Sequence, residues 1–449
     1  MGPIVPRPGH VRLSQVPDLQ QETTEVLQKL VRFNTVNPPG NERPAIEYLE
    51  AYVREAGLET EILAVEDARP NLVATLPGDA EGPVMTYLGH VDTVLAAADE
   101  WAHDPWSGDV ADGYLWGRGA LDMKSQVAAE AVAAVSLARE GWRPKRGALQ
   151  LVFVPDEETG GDVGARWLTE RHPDKVRCDF LLNEGGGESF AYGGQRRYGV
   201  CCGEKGIFRL KLTARGIAGH ASLPRTGENA LLKLAPVLAR MAAGQPEYDI
   251  TEAPRLLLSG LGEDPGDPVG ALERIGATEP ALRIFLEPML GVTLTPTMAH
   301  ASDKINVIPS RAYLKVDCRV PPGLGEEVAL KRLREVLGDT ADGLEIEFTE
   351  KVLGYVSPAE TELMSAIERW IGLNDPEAGT VPVLLPGYSD SSWFRAAFPD
   401  LIAYGFFPQR YQSLLEAAPL VHNADERIDV RDLGFAAGCF RDLAVDLLG

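Results

Sequence analysis

An alternation of apolar, strand-like segments with helical segments constrains the fold of this chain more than any other feature. The predicted strands are residues 71–76, 84–88, 148–154 and 180–182, and the predicted helices are 18–33, 42–56 and 126–139. The strands are apolar on both faces, which is typical of parallel sheets covered by helices on each side. The sequence therefore predicts an α/β fold with a mostly parallel sheet and flanking helices.

A different order of elements begins near Tyr198. Strand, helix, strand, strand, helix and strand are predicted over residues 206–215, 229–242, 293–298, 311–320, 326–337 and 344–349. This order is that of a ferredoxin-like α+β domain. A Pro- and Gly-rich excursion at 244–291 interrupts it, and the α/β pattern returns near Pro358. We therefore predict a catalytic domain in two parts, 1–197 and 353–449, with an inserted domain at 198–352.

The composition restricts the binding partners and the cellular compartment that we expect for this chain. The net charge of −23 argues against nucleic acid and anionic membranes as partners, because both repel an acidic surface. The five cysteines show no paired spacing, which favours a reducing compartment over a disulfide framework. Met1 to Gln15 lack the apolar core of a signal peptide, and no apolar run has the length of a membrane helix. The expected location is the cytoplasm.

Acids and histidines are concentrated in five short segments, three of which directly follow predicted strands. The segments are residues 88–92, 117–124, 155–161, 182–186 and 421–427. Ligands of open α/β sheets bind at the carboxyl ends of the strands, so residues far apart in sequence can meet in one cleft there. Imidazoles and carboxylates in this number suit a pair of zinc ions that activates a water molecule.

Each segment also has a structural explanation when it is considered alone. His90 and Asp92 point the same way on an extended chain, as a metal ligand and its orienting acid would, but so would a structural pair. Asp122 precedes a helix, where an aspartate often caps free amides. The acids at 156–158 form a charge run, which is usually solvated, although here it follows a buried strand. A lone histidine such as His422 is more often structural.

Taken together and in this order, the segments resemble those of the zinc aminoacylase and carboxypeptidase G family. That family includes acetylornithine deacetylase and succinyl-diaminopimelate desuccinylase. The resemblance extends from about residue 19 to the C terminus, and the excursion at 244–291 is more similar to the carboxypeptidase S branch. It implies a fold of the zinc exopeptidase type, with the inserted domain acting as a lid or dimerisation domain.

The resemblance also implies metal-binding roles for individual residues. His90 and Glu184 match ligands of a first zinc ion, and Glu158 and His422 match ligands of a second. Asp122 matches a carboxylate that bridges the two ions, and the resemblance implies a cis peptide bond between it and Met123.

Further residues match catalytic and substrate-binding positions of the family. Asp92 would orient His90, and Glu157 would be the general base. His220 matches a histidine that, in dimeric relatives, reaches the active site of the partner subunit and polarises the scissile carbonyl group. The matching substrate-binding positions are Asn306, Arg319, whose planar fork would bind a substrate carboxylate, and Gly387, whose backbone lines the pocket.

The resulting hypothesis is an amidohydrolase with two Zn²⁺ ions, for which Co²⁺ or Mn²⁺ are substitutes, acting as a homodimer formed through the inserted domain. The substrate would be an N-acyl amino acid or a small peptide with a free carboxylate. A dipeptidase or aminopeptidase of the same family remains an alternative, because side-chain pockets decide between them. A metal-free binding scaffold is a remote alternative, since it predicts lost ligands and none is lost here.

Overall fold

The computed structural model describes residues 18–244 and 247–449, which form two compact units. The expectation for Met1 to Gln15 concerns residues outside this description. The first unit comprises residues up to 202 together with 357–383 and 389–449, and the second comprises 203–356 and 384–388. Each unit has its own hydrophobic core.

The elements are numbered here along the chain. Up to residue 204 the strands are β1 Glu59–Leu63, β2 Asn71–Pro77, β3 Val84–His90, β4 Val110–Ala111, β5 Tyr114–Trp116, β6 Ala148–Val154, β7 Phe180–Asn183, β8 Glu188–Tyr192 and β9 Gln195–Glu204. The helices of this part are α1 Leu19–Arg32, α2 Arg43–Glu55, α3 Lys124–Arg139, α4 Ala165–Arg171 and α5 Pro173–Val176.

The second unit contributes the middle of the chain. Its strands are β10 Gly206–Ile207, β11 Leu210–Arg215, β12 Gly219–His220, β13 Thr293–His300, β14 Val307–Ile308, β15 Arg311–Val320, β16 Leu344–Phe348 and β17 Tyr355–Val356. Its helices are α6 Ala230–Ala243, α7 Glu252–Gly260, α8 Pro268–Thr278, α9 Pro280–Leu286 and α10 Glu326–Leu337.

The chain then completes the first unit. The remaining strands are β18 Ala378–Leu385, β19 Ile402–Gly405, β20 Gln409–Ser413 and β21 Arg427–Asp429, and the remaining helices are α11 Glu362–Asn374, α12 Ser391–Ala397, α13 Leu414–Ala417 and α14 Val430–Leu448. Among the described residues, no helix is both long and apolar enough to cross a membrane.

The sheet of the first unit confirms the predicted α/β class. Its order is β1-β2-β6-β3-β7-β19-β9-β8-β20. The central strands β6, β3, β7 and β19 are parallel, whereas β1 and β2 pair in antiparallel fashion at one side. Helices α1, α2, α3, α11 and α14 pack on one face and α4 and α12 on the other. Successive strand residues point to opposite faces, so Tyr87 enters one core and Leu88 the other.

The parallel register places the ends of three strands at one edge of this sheet. His90 of β3 lies opposite Val154 of β6, and Tyr87 lies opposite Leu182 of β7. The segments that follow β3, β6 and β7 therefore leave the sheet side by side. Helix α3 packs closely beneath them because it is alanine-rich, and nearly all of its residues are buried.

The second unit contains the ferredoxin-like arrangement. Strands β13, β15, β11 and β16 form an antiparallel sheet in that order, and α6 and α10 contribute to its core. The excursion after α6 is largely helical, with α7, α8 and α9. Pro268 and Pro280 stand at the first positions of α8 and α9, where proline's fixed φ suits a helix and its missing N–H costs nothing.

Candidate metal centre

The first unit brings together six imidazole and carboxylate side chains from five segments of the chain. They are His90, Asp122, Glu157, Glu158, Glu184 and His422. The groups His90, Asp122, Glu158 and His90, Glu157, Glu184 each offer ligand atoms that lie within 4.8 Å of one another. The parallel strand ends supply His90, the two acids after β6 and Glu184 after β7, while Asp122 precedes α3 and His422 precedes β21.

The carboxylate of Asp122 lies between the two imidazoles. Its Oδ1 is 3.0 Å from Nε2 of His90, and its Oδ2 is 3.0 Å from Nε2 of His422. Each histidine also faces a second acid: Oε2 of Glu184 is 3.8 Å from His90 Nε2, and Oε2 of Glu158 is 3.3 Å from His422 Nε2. The site thus has two halves, each with one imidazole and one carboxylate, joined by Asp122.

Asp92 supports both the first histidine and the acidic loop. Nδ1 of His90 is 3.1 Å from the backbone oxygen of Asp92 and 3.4 Å from its Oδ1, which leaves Nε2 facing the cleft. The buried carboxylate of Asp92 also accepts the backbone N–H groups of Glu157 and Glu158, both at 3.2 Å. Such a partner fixes the orientation of a ligand imidazole.

The three acids after β6 divide into different environments. Asp156 has a left-handed φ of +78° and turns its buried carboxylate to Arg69, whose Nη1 lies 3.0 Å from it. Glu157 and Glu158 are half-buried and belong to the cluster described above. The run is therefore not a solvated acidic loop: one acid pairs with a buried arginine, and the other two face the histidines.

The peptide bond between Asp122 and Met123 is cis, which confirms the expectation from the family resemblance. Lys124 follows, with its side chain buried and its Nζ donating to the backbone oxygens of Leu30 and Phe33 at 3.0 and 2.9 Å. These contacts attach the start of α3 to the end of α1.

Burial and neighbouring charged groups shift the pKa values of four side chains in the cluster. Burial lowers the pKa of His90, but hydrogen bonds with Asp122, Asp92 and Glu184 outweigh it and raise the pKa well above its ordinary value. Hydrogen bonds with Asp122 and Glu158 raise the pKa of His422 to about 10. Burial and the charge of Asp122 raise the pKa of Glu184 to about 7. Burial, and then the charge of Glu184, raises the pKa of Glu157 well above its ordinary value.

The donor set fits divalent zinc. Imidazole nitrogens and carboxylate oxygens are its usual ligands beside thiolates, and the cluster offers both types in each half. Glu158 Oε1 is buried without a hydrogen-bond partner among the described residues, although buried polar atoms normally have one. An additional ligand that accepts this oxygen's lone pairs would remove that deficit.

Three functional candidates were missed by the sequence interpretation. Asn37 donates from Nδ2 to Asp92 at 2.9 Å and to Asp156 at 3.2 Å. Asp390 is buried, and burial raises its pKa well above the ordinary value. Glu426 hydrogen-bonds the loop that carries Asp122. Glu426 had a local signal, since it stands in the same acidic segment as His422. The hydrogen-bond partners of Asn37 and the charged groups around Asp390, such as His90, are distant in sequence.

The second unit carries the other four predicted site residues. His220 is exposed and is the last residue of β12. This strand pairs with β14, which begins directly after Asn306. The backbone N–H of Ser222 donates to Nδ1 of His220 at 3.2 Å, so the neutral imidazole carries its proton on Nε2. Arg319 binds Asp317 through Nε at 2.7 Å.

Gly387 lies in the short segment 384–388 of the same unit. A Cβ atom added there would meet Leu385 only at ordinary contact distance, 3.7 Å. Packing within this unit therefore does not require glycine at the position.

Comparison with known proteins places the chain in a recognised group. Residues 86–446 match the model of peptidase family M20/M25/M40. A probable carboxypeptidase S-like 2 of Dictyostelium discoideum is 26% identical over 77% of this chain and 68% of its own length. A succinyl-diaminopimelate desuccinylase of Cereibacter sphaeroides is 28% identical over 90% and 93%, and aminoacylase-1 of Sus scrofa is 25% identical over 91% of each.

A solved structure has the same fold. The M20 family metallo-carboxypeptidase Sso-CP2 of Sulfolobus solfataricus superposes with a TM-score of 0.71, covering 94% of this chain and 98% of its own, at 17% identity. The similarity spans both units, so the inserted ferredoxin-like arrangement belongs to the shared fold.

Because His422 and Glu184 have pKa values raised to about 10 and about 7, both side chains hold protons near neutral pH that a metal ion must displace. We therefore expect zinc binding to release protons and its apparent affinity to increase with pH from about pH 6 to about pH 10, as first Glu184 and then His422 loses its proton. Calorimetric titrations in buffers of different ionisation enthalpy measure the released protons directly. Affinity that is independent of pH would contradict this assignment of protons.

Proposed function

We propose that this member of peptidase family M20/M25/M40 is a di-zinc enzyme that acts on N-acyl amino acids or small peptides with a free carboxylate. As a member of that family, the chain is a metal-dependent hydrolase of amide or peptide bonds. The observation that carries the proposal is the placement of Asp122 between His90 and His422, with one carboxylate oxygen toward each imidazole. A carboxylate with one oxygen toward each set of ligands can bind two metal ions at once, which favours a two-metal site.

In this proposal the two halves of the cluster hold the two ions. His90 and Glu184 would hold the first, Glu158 and His422 would hold the second, and Asp122 would contribute to both. When bound, the ions supply Lewis-acid activation of the substrate carbonyl group and of a water molecule. Cobalt or manganese ions can replace zinc because they accept the same nitrogen and oxygen ligands.

Glu157 is proposed as the group that moves the proton. It lies within the cluster, and its backbone N–H is fixed by Asp92 at 3.2 Å. Its carboxylate accepts a proton from the attacking water molecule, whose oxygen forms the new bond to the carbonyl carbon. The amide C–N bond then breaks, and Glu157 returns the proton to the leaving amine nitrogen.

Recognition of the substrate is assigned to the second unit. The Nε2–H of His220 is a donor suited to a carbonyl oxygen, because Ser222 occupies Nδ1. Arg319 is the candidate for the substrate carboxylate, since a guanidinium group binds a carboxylate through paired hydrogen bonds. Asn306 directly precedes β14, the strand that pairs with the one ending at His220. Gly387 leaves room for backbone contact with a ligand.

The second unit also has the surface expected of a subunit interface. Its strand β13 is at the edge of the sheet, and Met298 on it is 57% exposed. Helix α6 exposes Leu231, Leu232 and Leu238. Apolar groups concentrated beside a sheet edge favour association, and we propose a two-fold homodimer through this unit. We further propose a cytoplasmic location, in keeping with the free, buried thiols of Cys178, Cys318 and Cys439.

A hydrolysis screen tests the substrate class. Zinc-loaded protein is incubated with N-acetyl and N-succinyl amino acids, dipeptides and amino-acid amides, and released amines are quantified. We expect turnover of N-acyl amino acids or peptides with a free carboxylate and at least tenfold loss when that carboxylate is amidated, because a charged bidentate pair is removed. Preference for substrates with a free amino group would favour the dipeptidase or aminopeptidase alternative.

Glu157→Gln tests the proton-transfer role. The amide keeps the shape of the side chain but cannot accept the proton, so kcat should fall by about 10²–10⁴-fold while zinc still binds. Glu130→Gln is the control, because Glu130 is a fully buried glutamate that lies within α3, hydrogen-bonded to Gln126, outside the ligand cluster. Near-normal kcat in Glu157→Gln would show that another group is the base.

Subunit complementation tests the assembly. His220→Ala and Glu157→Gln proteins, each inactive alone, are mixed under conditions that allow exchange of subunits. If His220 acts across the dimer, one site of each mixed dimer has both residues intact, and roughly a quarter of wild-type activity should return under random pairing. Exchange verified by mass without any recovery, or full activity of a strict monomer, would exclude the crossing arrangement.

A further inference from the structure

A second buried acid, four residues beyond His422, organises the loop that carries Asp122. The carboxylate of Glu426 is completely buried. Oε1 accepts the backbone N–H groups of Leu121 at 2.7 Å and Asp122 at 3.1 Å. Oε2 accepts the backbone N–H of Gly119 at 3.1 Å and Nη1 of Arg118 at 2.6 Å. One side chain therefore fixes most of the turn that leads to the candidate bridging ligand.

The segment that contains Glu426 is itself held in an uncommon backbone conformation. His422 has a φ of +60° and Asp425 a φ of +61°, a region that residues other than glycine rarely adopt. Such conformations persist only when the surroundings enforce them. Here Asp425 accepts the backbone N–H of Ala102 at 2.7 Å, and Glu426 is bonded to the 118–122 turn.

Arg118 extends the same network to a third segment. Its Nη1 pairs with Glu426, and its Nη2 donates to the backbone oxygen of Leu95 at 3.1 Å. The guanidinium carbon lies 5.1 Å from the centre of the Trp101 ring, within the range of a cation–π contact. The charge of Glu426 is thereby compensated inside the protein, as a buried carboxylate requires.

We propose that Glu426 is a positioning residue that fixes Asp122 and His422 relative to each other and thereby sets the affinity of the site for its two metal ions. The inference rests on the proposed function, because it takes both residues as metal ligands. Glu426 does not itself join the ligand cluster. It acts through the backbone of the Asp122 turn and through its own short connection to His422.

Glu426→Gln is the direct test. An amide has one acceptor and one donor, so one of the two pairs of N–H groups must face an NH₂ group whichever way the amide lies. Loss of an outer partner of this kind typically reduces metal affinity by about 10–100-fold. We expect a reduction of that size in zinc affinity, measured by competition with a chromogenic chelator. Excess zinc should restore much of kcat and leave KM nearly unchanged.

Two further variants separate positioning from general damage. Glu130→Gln makes the same substitution at a completely buried glutamate whose hydrogen bond is with Gln126 of its own helix, and should retain wild-type zinc affinity. Glu426→Asp keeps both acceptors but is shorter by one methylene group, so its affinity should fall between those of wild type and Glu426→Gln. Circular dichroism of the metal-free proteins establishes that each variant is folded, and Glu426→Asp carries the test if Glu426→Gln is not.

The outcomes distinguish this inference from the proposed function. Wild-type protein that binds no zinc would contradict the proposed function itself. Wild-type protein that binds two zinc ions, together with folded Glu426 variants of equal affinity, would overturn only the positioning role. An affinity loss shared equally by Glu130→Gln would also overturn it, because the effect would then belong to any buried glutamate.

Discussion

The structure of the first unit depends on several acidic side chains that are held close together at one edge of its sheet. Asp122, Glu157, Glu158 and Glu184 converge there on two imidazoles, and Asp390 contributes a further buried carboxylate. Carboxylates at such distances cannot all be ionised in a partly buried cleft without cations. The raised pKa values of Glu157 and Glu184 express this repulsion, and the raised pKa of His422 expresses the attraction of imidazolium to the same acids. Two bound divalent cations, as proposed above, would neutralise the same charges with no need for protons.

Two buried acids hold the loops of this cluster in place, and both do so by accepting backbone N–H groups. Asp92 lies two residues after His90 and accepts the N–H groups of the Glu157–Glu158 turn. Glu426 lies four residues after His422 and accepts the N–H groups of the Asp122 turn. Each candidate histidine ligand is thus followed by an acid that ties its own segment to a loop carrying the opposing carboxylates. The geometry is set by backbone hydrogen bonds within the protein.

Sequence alone predicted the parts of the site that follow from strand order. The apolar strands ending at His90, before Asp156 and before Glu184 are short-range signals, and parallel pairing then brings their ends together. Nothing local indicates the partners of Asn37 or the burial of Asp390 among other charged groups, because both depend on chain segments far away. The excursion at 244–291 was interpreted from its prolines and glycines, yet Pro268 and Pro280 begin helices, after Asp267 and Glu279 whose side chains cap them.

The proposed assignment of metal binding to the first unit and of substrate recognition to the second has an electrostatic basis. The six side chains of the ligand cluster include no lysine or arginine that could pair with a substrate carboxylate, so we assign recognition of that group to the second unit. Arg319 in the second unit is suited to it because Asp317 holds its Nε at 2.7 Å and so orients the guanidinium plane in advance. Asp317 is in turn shared with Arg209, which keeps its charge partly compensated. An arginine oriented in this way loses little conformational entropy when it binds a carboxylate, which is the physical basis for proposing Arg319 as the substrate-binding residue.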